Sequence, residues 1–351
     1  MFNTSSPGRY DAEIPLFLGH KAPVLDFAFN NFSDHIVASA SEDCTVRLWK
    51  IPEGGLTETI STPLITMQGH RKKVHGLAFH PTVRTLLASI SADGTAKLWD
   101  AEKSKEIHSV LPSGQGFYDL IFDPFGTTYM ASMKDKSLQV IDARSGSIAA
   151  DIQNVHDGNK CIKLAAMGDD ANRLITVGAN KTSVRQCKIW DPRHTNSEVC
   201  KIEIDNGAGA LTPIYDPDTG LLMLAAKGET SIRCYEIPFN GTEIFHITDA
   251  KSSQTTKGVV LLPKRNLDVM SCEVNRLLKL TPNSVEPVSF FVPRKALAFQ
   301  DDLYPDVYAS TPPHTLDAWT KGSDLLPKKV PLSSLVNTTV SSRSQNSSPV
   351  R

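Results

Sequence analysis

Two histidine–aspartate pairs are the residues of this 351-residue chain best placed by type and spacing to do chemistry. His20 precedes Asp43 by the same interval that separates His70 from Asp93, and serines lie close to each pair. Such a set could pass a proton from a serine through an imidazole to a carboxylate, as hydrolases do. The duplication points elsewhere. A catalytic centre is not built twice at one spacing, whereas a hydrogen-bonded brace recurs wherever its structural unit recurs. The patterns GxxxxGK[ST], HExxH and GxSxG are absent from the chain, so the reading is non-enzymatic. Six cysteines (Cys44, Cys161, Cys187, Cys200, Cys234 and Cys272) form no C-x-x-C pair, and neither a metal nor any other cofactor is expected.

The elements that carry these pairs repeat. The segment GHKAPVLDFAF followed by HIVASASEDCTVRLWKI, from Gly19 to Ile51, returns as GHRKKVHGLAF followed by TLLASISADGTAKLWDA, from Gly69 to Ala101. Gly19 to Gly69 and Trp49 to Trp99 are both offsets of 50. A glycine–histidine start and a tryptophan finish at this period mark a four-stranded blade of a WD40 β-propeller. The runs between them are short, apolar and β-rich, as strands buried between neighbouring blades should be. Asp43 and Asp93 fall where a tight turn joins two strands. In WD repeats generally the histidine, a strand serine or threonine, the turn aspartate and the tryptophan form one buried hydrogen-bonded chain. By that likeness His20, Asp43 and Trp49 brace the first blade, and His70, Asp93 and Trp99 the second.

Later blades are degenerate but countable. The third keeps the turn aspartate, Asp135, and has Ile141 for tryptophan. The fourth runs from His156 to Trp190, and in the fifth Tyr235 takes the tryptophan position. A sixth ends near Leu280. The fold expected is all-β, a propeller of six recognisable blades. Its parts are a lead-in over 1–18 that could supply a closing strand, the propeller over 19–292, an irregular proline-rich strap over 293–330 and a Ser/Asn-rich disordered tail over 331–351.

Composition sets outer limits. Lys+Arg 37 against Asp+Glu 38 leaves a net charge of -1, which disfavours bulk nucleic-acid binding. The polar start MFNTSSPGRYDAE and the lack of a long apolar run imply a cytoplasmic chain without membrane insertion. No heptad segment for coiled-coil assembly is visible.

The stretches outside the repeat resemble the coronin family. They include Tyr215-Asp216-Pro217-Asp218-Thr219, Lys227-Gly228-Glu229, Leu262-Pro263-Lys264-Arg265, and above all Val292-Pro293-Arg294-Lys295 with Phe299-Gln300-Asp301-Asp302-Leu303-Tyr304-Pro305. The wording of Val269 to Val274 and of Asp317-Ala318-Trp319 is similar to the long, tandem-propeller coronins. This resemblance implies seven blades, one of which would precede His20 and is missing here. It also implies binding to actin filaments, a place on the cytoskeleton, and a tie to the Golgi and vesicle traffic. Contact with acidic actin would fall to positive clusters, Arg71, Lys72 and Lys73 or Lys264 and Arg265, while Arg294, Lys295 and Tyr304 would anchor the strap. A different class of function, a WD adaptor that recruits a ligase or coat partner without filaments, uses other cytosolic protein partners.

Overall fold

The computed structural model describes residues 7–10, 13–112, 116–238, 241–294 and 299–336. Lys295 and residues 337–351, the greater part of the expected tail, lie outside the described residues. The described residues form six four-stranded antiparallel sheets. They are blades I (24–68), II (74–110), III (117–152), IV (163–205), V (211–251) and VI (258–291). Blades I to V each take four consecutive strands. Blade VI has three of its own, and its outermost strand is Gly8–Arg9, which pairs antiparallel with Ser284–Phe291. The lead-in therefore supplies the outermost strand of the last blade.

The blades stack because both faces of each sheet are apolar. Blade II turns Trp99 and Leu87 onto Ala38, Ala40, Val46 and Leu48 of blade I. Blade III sets Ile141 and Tyr129 against Ile90 and Leu98 of blade II. Trp190 of blade IV meets Met130 and Val140 of blade III. Tyr235 of blade V meets Val177 and Ile189 of blade IV. Thus the tryptophan position of a blade faces the blade before it, whichever large apolar residue occupies it. Carboxylates on the inner strands fasten the stack: Asp26 accepts the Leu77 amide at 2.8 Å and Asp119 the Leu164 amide at 2.9 Å.

The glycine of each glycine–histidine pair has a steric reason. A Cβ at Gly19 would come within 2.8 Å of the Trp49 ring, and one at Gly69 within 2.9 Å of the Trp99 ring. The indole edge lies where a side chain would otherwise be.

The strap runs further than its sequence suggests. Lys329–Val330 pairs with Val307–Tyr308, and Leu332, expected in the tail, is 1% exposed against Tyr304 and Val269. The described chain runs past the expected tail boundary at 331 as far as Val336, with Leu332 buried and residues 333–335 exposed.

Trp99 fills the space between two blades and donates a buried hydrogen bond, so Trp99→Ala should lower unfolding stability by roughly 3–5 kcal/mol. Denaturant titration followed by circular dichroism measures this, and an unchanged midpoint would contradict the packing described.

Candidate functional site

In blade I, His20 Nδ1 is 2.9 Å from Asp43 and its Nε2 is 2.7 Å from the Ser39 hydroxyl. The same hydroxyl accepts the Trp49 indole N–H at 2.8 Å. Blade II repeats the set: His70 lies 3.1 Å from Asp93 and 2.7 Å from Ser89, and Trp99 donates to Ser89 at 2.8 Å. Burial opposes ionisation of Asp43, but hydrogen bonds from Thr45, the Lys21 amide and His20 outweigh it and hold the carboxyl well below the usual carboxylate range. Asp93 is lowered in the same way by Thr45's counterpart Thr95, the Arg71 amide and His70. A serine already engaged by both an indole and an imidazole, with the indole stacked in the blade interface, is not disposed as a nucleophile.

Blade IV carries a shortened version. His156 Nε2 and the Trp190 indole both meet Thr176 Oγ1, at 3.0 and 3.1 Å. Asn180 stands in the turn where blades I to III have aspartate, and its side chain caps its own loop at Thr182 and Val184. His156 Nδ1 is left buried with no hydrogen-bond partner. In blade III, Asp135 accepts only from Ser137 of its own turn, with no histidine beside it.

Strand order sorts the charged loops into two faces. The turns holding Asp43 and Asp93 and the links between blades emerge on one face; the other two sets of loops emerge on the opposite face. Arg71, Lys72 and Lys73 lie on the first and are exposed. Lys21, Lys134, Lys181, Lys227 and Lys257 share that face and are also exposed. Single lysines in separate blades draw no notice in sequence; only their common position, just after the second strand of a blade or just before the first, marks them.

Lys264 and Arg265 are on the opposite face, and the expectation that they meet a partner is corrected. The Lys264 ammonium points inward to Asp216 at 2.6 Å, the Val274 carbonyl at 2.7 Å and Asn275 at 3.0 Å. Arg265 grips Asp34 of blade I through two bonds of 2.6 and 2.7 Å. The strap lies on this same face. Arg294 is corrected as well: it pairs with Asp302 of the strap itself at 2.7 Å rather than with a blade edge. Tyr304 is buried on blade VI, donating toward the carbonyls of Glu273 and Val269 at 3.0 and 3.3 Å, with its ring stacked on Phe299. The far anchor is Trp319, 1% exposed in the core of blades II and III, with His80 edge-on at 5.0 Å and the Arg144 guanidinium 4.9 Å over its ring. Arg144 also donates to the Trp319 carbonyl at 2.7 Å and pairs with Asp324.

Among the described residues, no group of three His, Cys, Asp or Glu side chains could hold a metal ion, and no helix is long and apolar enough to cross a membrane.

A ring of four-stranded blades braced by histidine, serine or threonine and tryptophan defines a WD40 propeller. Residues 13–50 and 61–100 match the family described as WD domain, G-beta repeat, and residues 285–327 match a type of WD40 repeat. Coronin-A of Dictyostelium discoideum is 46% identical over 323 residues, spanning 91% of this chain and 71% of that protein. The WD40 domain of Toxoplasma gondii coronin superposes with a TM-score of 0.83 at 33% identity, covering 89% of this chain and 80% of that one. The chain belongs to the coronin family. A chain of the mitotic checkpoint complex, 17% identical with a TM-score of 0.58 over 74% of each chain, shares the fold alone.

The buried histidines give stability a definite pH dependence. Burial pushes His80 down to about 3, and burial with Lys188 nearby does the same to His156. The unfolded chain binds these protons near the ordinary pKa of about 6.5 while the folded chain resists until about 3, so stability rises with pH across that window. Each histidine adds a slope of up to ~1.4 kcal/mol per pH unit. Denaturation midpoints should fall from pH 7 to pH 5, and His156→Gln should flatten the fall. A midpoint that rises on acidification would refute this account.

Trp319→Ala should cost roughly 3–5 kcal/mol although it lies outside the blades. Thermal melts of this variant and of Arg144→Ala, compared with wild type, measure how firmly the strap is held.

Proposed function

We propose that the chain is a non-enzymatic scaffold that binds actin filaments through the face opposite the strap. The observation that carries this reading is the clustering of exposed Lys21, Arg71, Lys72, Lys73, Lys134, Lys181, Lys227 and Lys257 on one face of a chain whose net charge is -1. A filament with an acidic surface is attracted to such a face, and salt screens that attraction over a Debye length of about 10 Å at 0.1 M. Family membership supplies the partner, and the charge distribution supplies the surface. Lys264 takes no part, being held by Asp216, the Val274 carbonyl and Asn275, and Arg265 lies on the opposite face, paired with Asp34. The long tandem-propeller branch and its tie to Golgi traffic rest only on the wording of Val269 to Val274 and Asp317 to Trp319.

Co-sedimentation with actin filaments at low and moderate salt tests the reading. Pelleting should weaken as salt rises, and the triple variant Arg71→Glu, Lys72→Glu, Lys73→Glu should weaken it by roughly tenfold or more, equivalent to about 1.4 kcal/mol. Pelleting that ignores both salt and the triple variant, or no pelleting at all, would overturn it.

A further inference from the structure

A cavity of about 520 Å³ opens on the strap face, where loops of blades IV, V and VI meet the strap. Ligand sites typically enclose roughly 300–1,000 Å³, with apolar walls and a few convergent polar groups. The walls here are stiff and apolar. Pro217 of blade V, Pro263 of blade VI and Pro305 of the strap stand around the space with Met167, Tyr215 and Val307. One side of the cavity is therefore built by the strap, and the site exists only while the strap is docked.

The charges that line it are not balanced against one another. Each cation is already committed. The Lys264 ammonium is held by Asp216, the Val274 carbonyl and Asn275, Arg265 by Asp34, and Lys329 by Asp169 while lying over the Tyr308 ring. The carboxylates are less well served. Asp306 makes no hydrogen bond or ion pair with any described residue, and the only such contact of Asp218 is to Lys264 at 4.0 Å, an ammonium with three nearer partners. Burial and the neighbouring carboxylates of Asp216 and Asp169 outweigh Lys264 and Lys329, and hold the Asp218 carboxyl above its ordinary value. A half-buried carboxylate among like charges gains from an added cation.

We propose that this cavity receives an arginine side chain from an extended, positively charged segment of a partner protein, its guanidinium against Asp218 and Asp306 and its stem against the prolines. Charge complementarity selects the partner. Membrane surfaces and nucleic acids are anionic and are turned away by the acidic lining. A metal ion or a free amine would leave the apolar walls bare, whereas an arginine in a peptide covers them with its own methylenes and its neighbours. Arginine suits the site better than lysine, because a planar fork can meet two carboxylates at once and is more weakly hydrated than an ammonium. The cavity lies on the face opposite the exposed lysines, so occupation of one leaves the other open.

Fluorescence anisotropy of a labelled Gly-Ala-Arg-Ala-Leu-Gly peptide, titrated with the full chain, tests this without actin present. Wild type should bind with a Kd of roughly 10–100 µM, and the same peptide with glutamate for arginine should not bind. Asp218→Asn and Asp306→Asn should each weaken binding by roughly threefold or more, and together by about tenfold or more. Glu102→Gln removes one exposed charge from the same face outside the cavity and should leave binding unchanged. Neither aspartate has a close partner to lose, so circular dichroism melts of both variants should not fall below wild type. Absence of binding, equal binding of the arginine and glutamate peptides, or indifference to both asparagine variants would each overturn the proposal. The chain itself carries Arg343 and Arg351 beyond Leu335, which lines the cavity. Binding that appears only in the double variant Arg343→Glu, Arg351→Glu would assign the cavity to the chain's own segment and overturn the partner.

Discussion

A sheet with two apolar faces needs a neighbour on each side, and every other feature of this molecule follows from how that need is met. Five of the six blade-to-blade contacts meet it with large residues aimed at the preceding blade: Trp99, Ile141, Trp190 and Tyr235 in blades II to V, and Val288 with Phe290 where blade VI meets blade V. The polar brace serves the same end. Burying an indole N–H in a blade costs free energy unless it is satisfied, and Ser39, Ser89 and Thr176 do this for Trp49, Trp99 and Trp190 while tethering a histidine from the loop above. Blade III has Ile141 instead of an indole, so it has no N–H to satisfy and no histidine to hold.

Much of this was legible in the sequence because the brace is local in pattern. Histidine, turn aspartate and tryptophan keep fixed spacing within one blade, and their side chains meet within that blade. The six-blade count was legible for the same reason. What escaped was whatever depends on elements far apart in the chain. Lys264 and Arg265 look like an exposed basic pair until Asp216, Asn275 and Asp34 are brought to them by other strands. Trp319, by contrast, gave no sign of its role, since the partners that bury it, His80 and Arg144, are in blades II and III.

The two faces of the ring thereby acquire different characters without any excess of net charge. Links between blades carry exposed lysines and arginines, of which Lys73 pairs with Glu42, whereas the strap lies over opposite loops set with Asp169, Asp170, Asp218 and Asp306 around a cavity of about 520 Å³. Within that cavity the strap's Lys329 pairs with Asp169 and sits over the Tyr308 ring, so part of the acidity is answered internally. The face proposed to meet filaments and the attachment of the strap are on opposite sides.

The anchoring of Trp319 between blades II and III also fixes an order of assembly. Its contacts with Arg144 span 175 residues of sequence, and the chain's early strand, Gly8–Arg9, waits for Ser284–Phe291. Contacts of such long range form late, because the entropy of closing the loop must be met before they return anything. During synthesis the first three blades emerge while both their closing partner and their cover are still unmade. The slot that Trp319 fills, beside His80 and Phe122 in the same core, stays empty while the chain from Ile152 to Trp319 is made, about 10 to 30 seconds at ordinary elongation rates of ~5–20 residues per second.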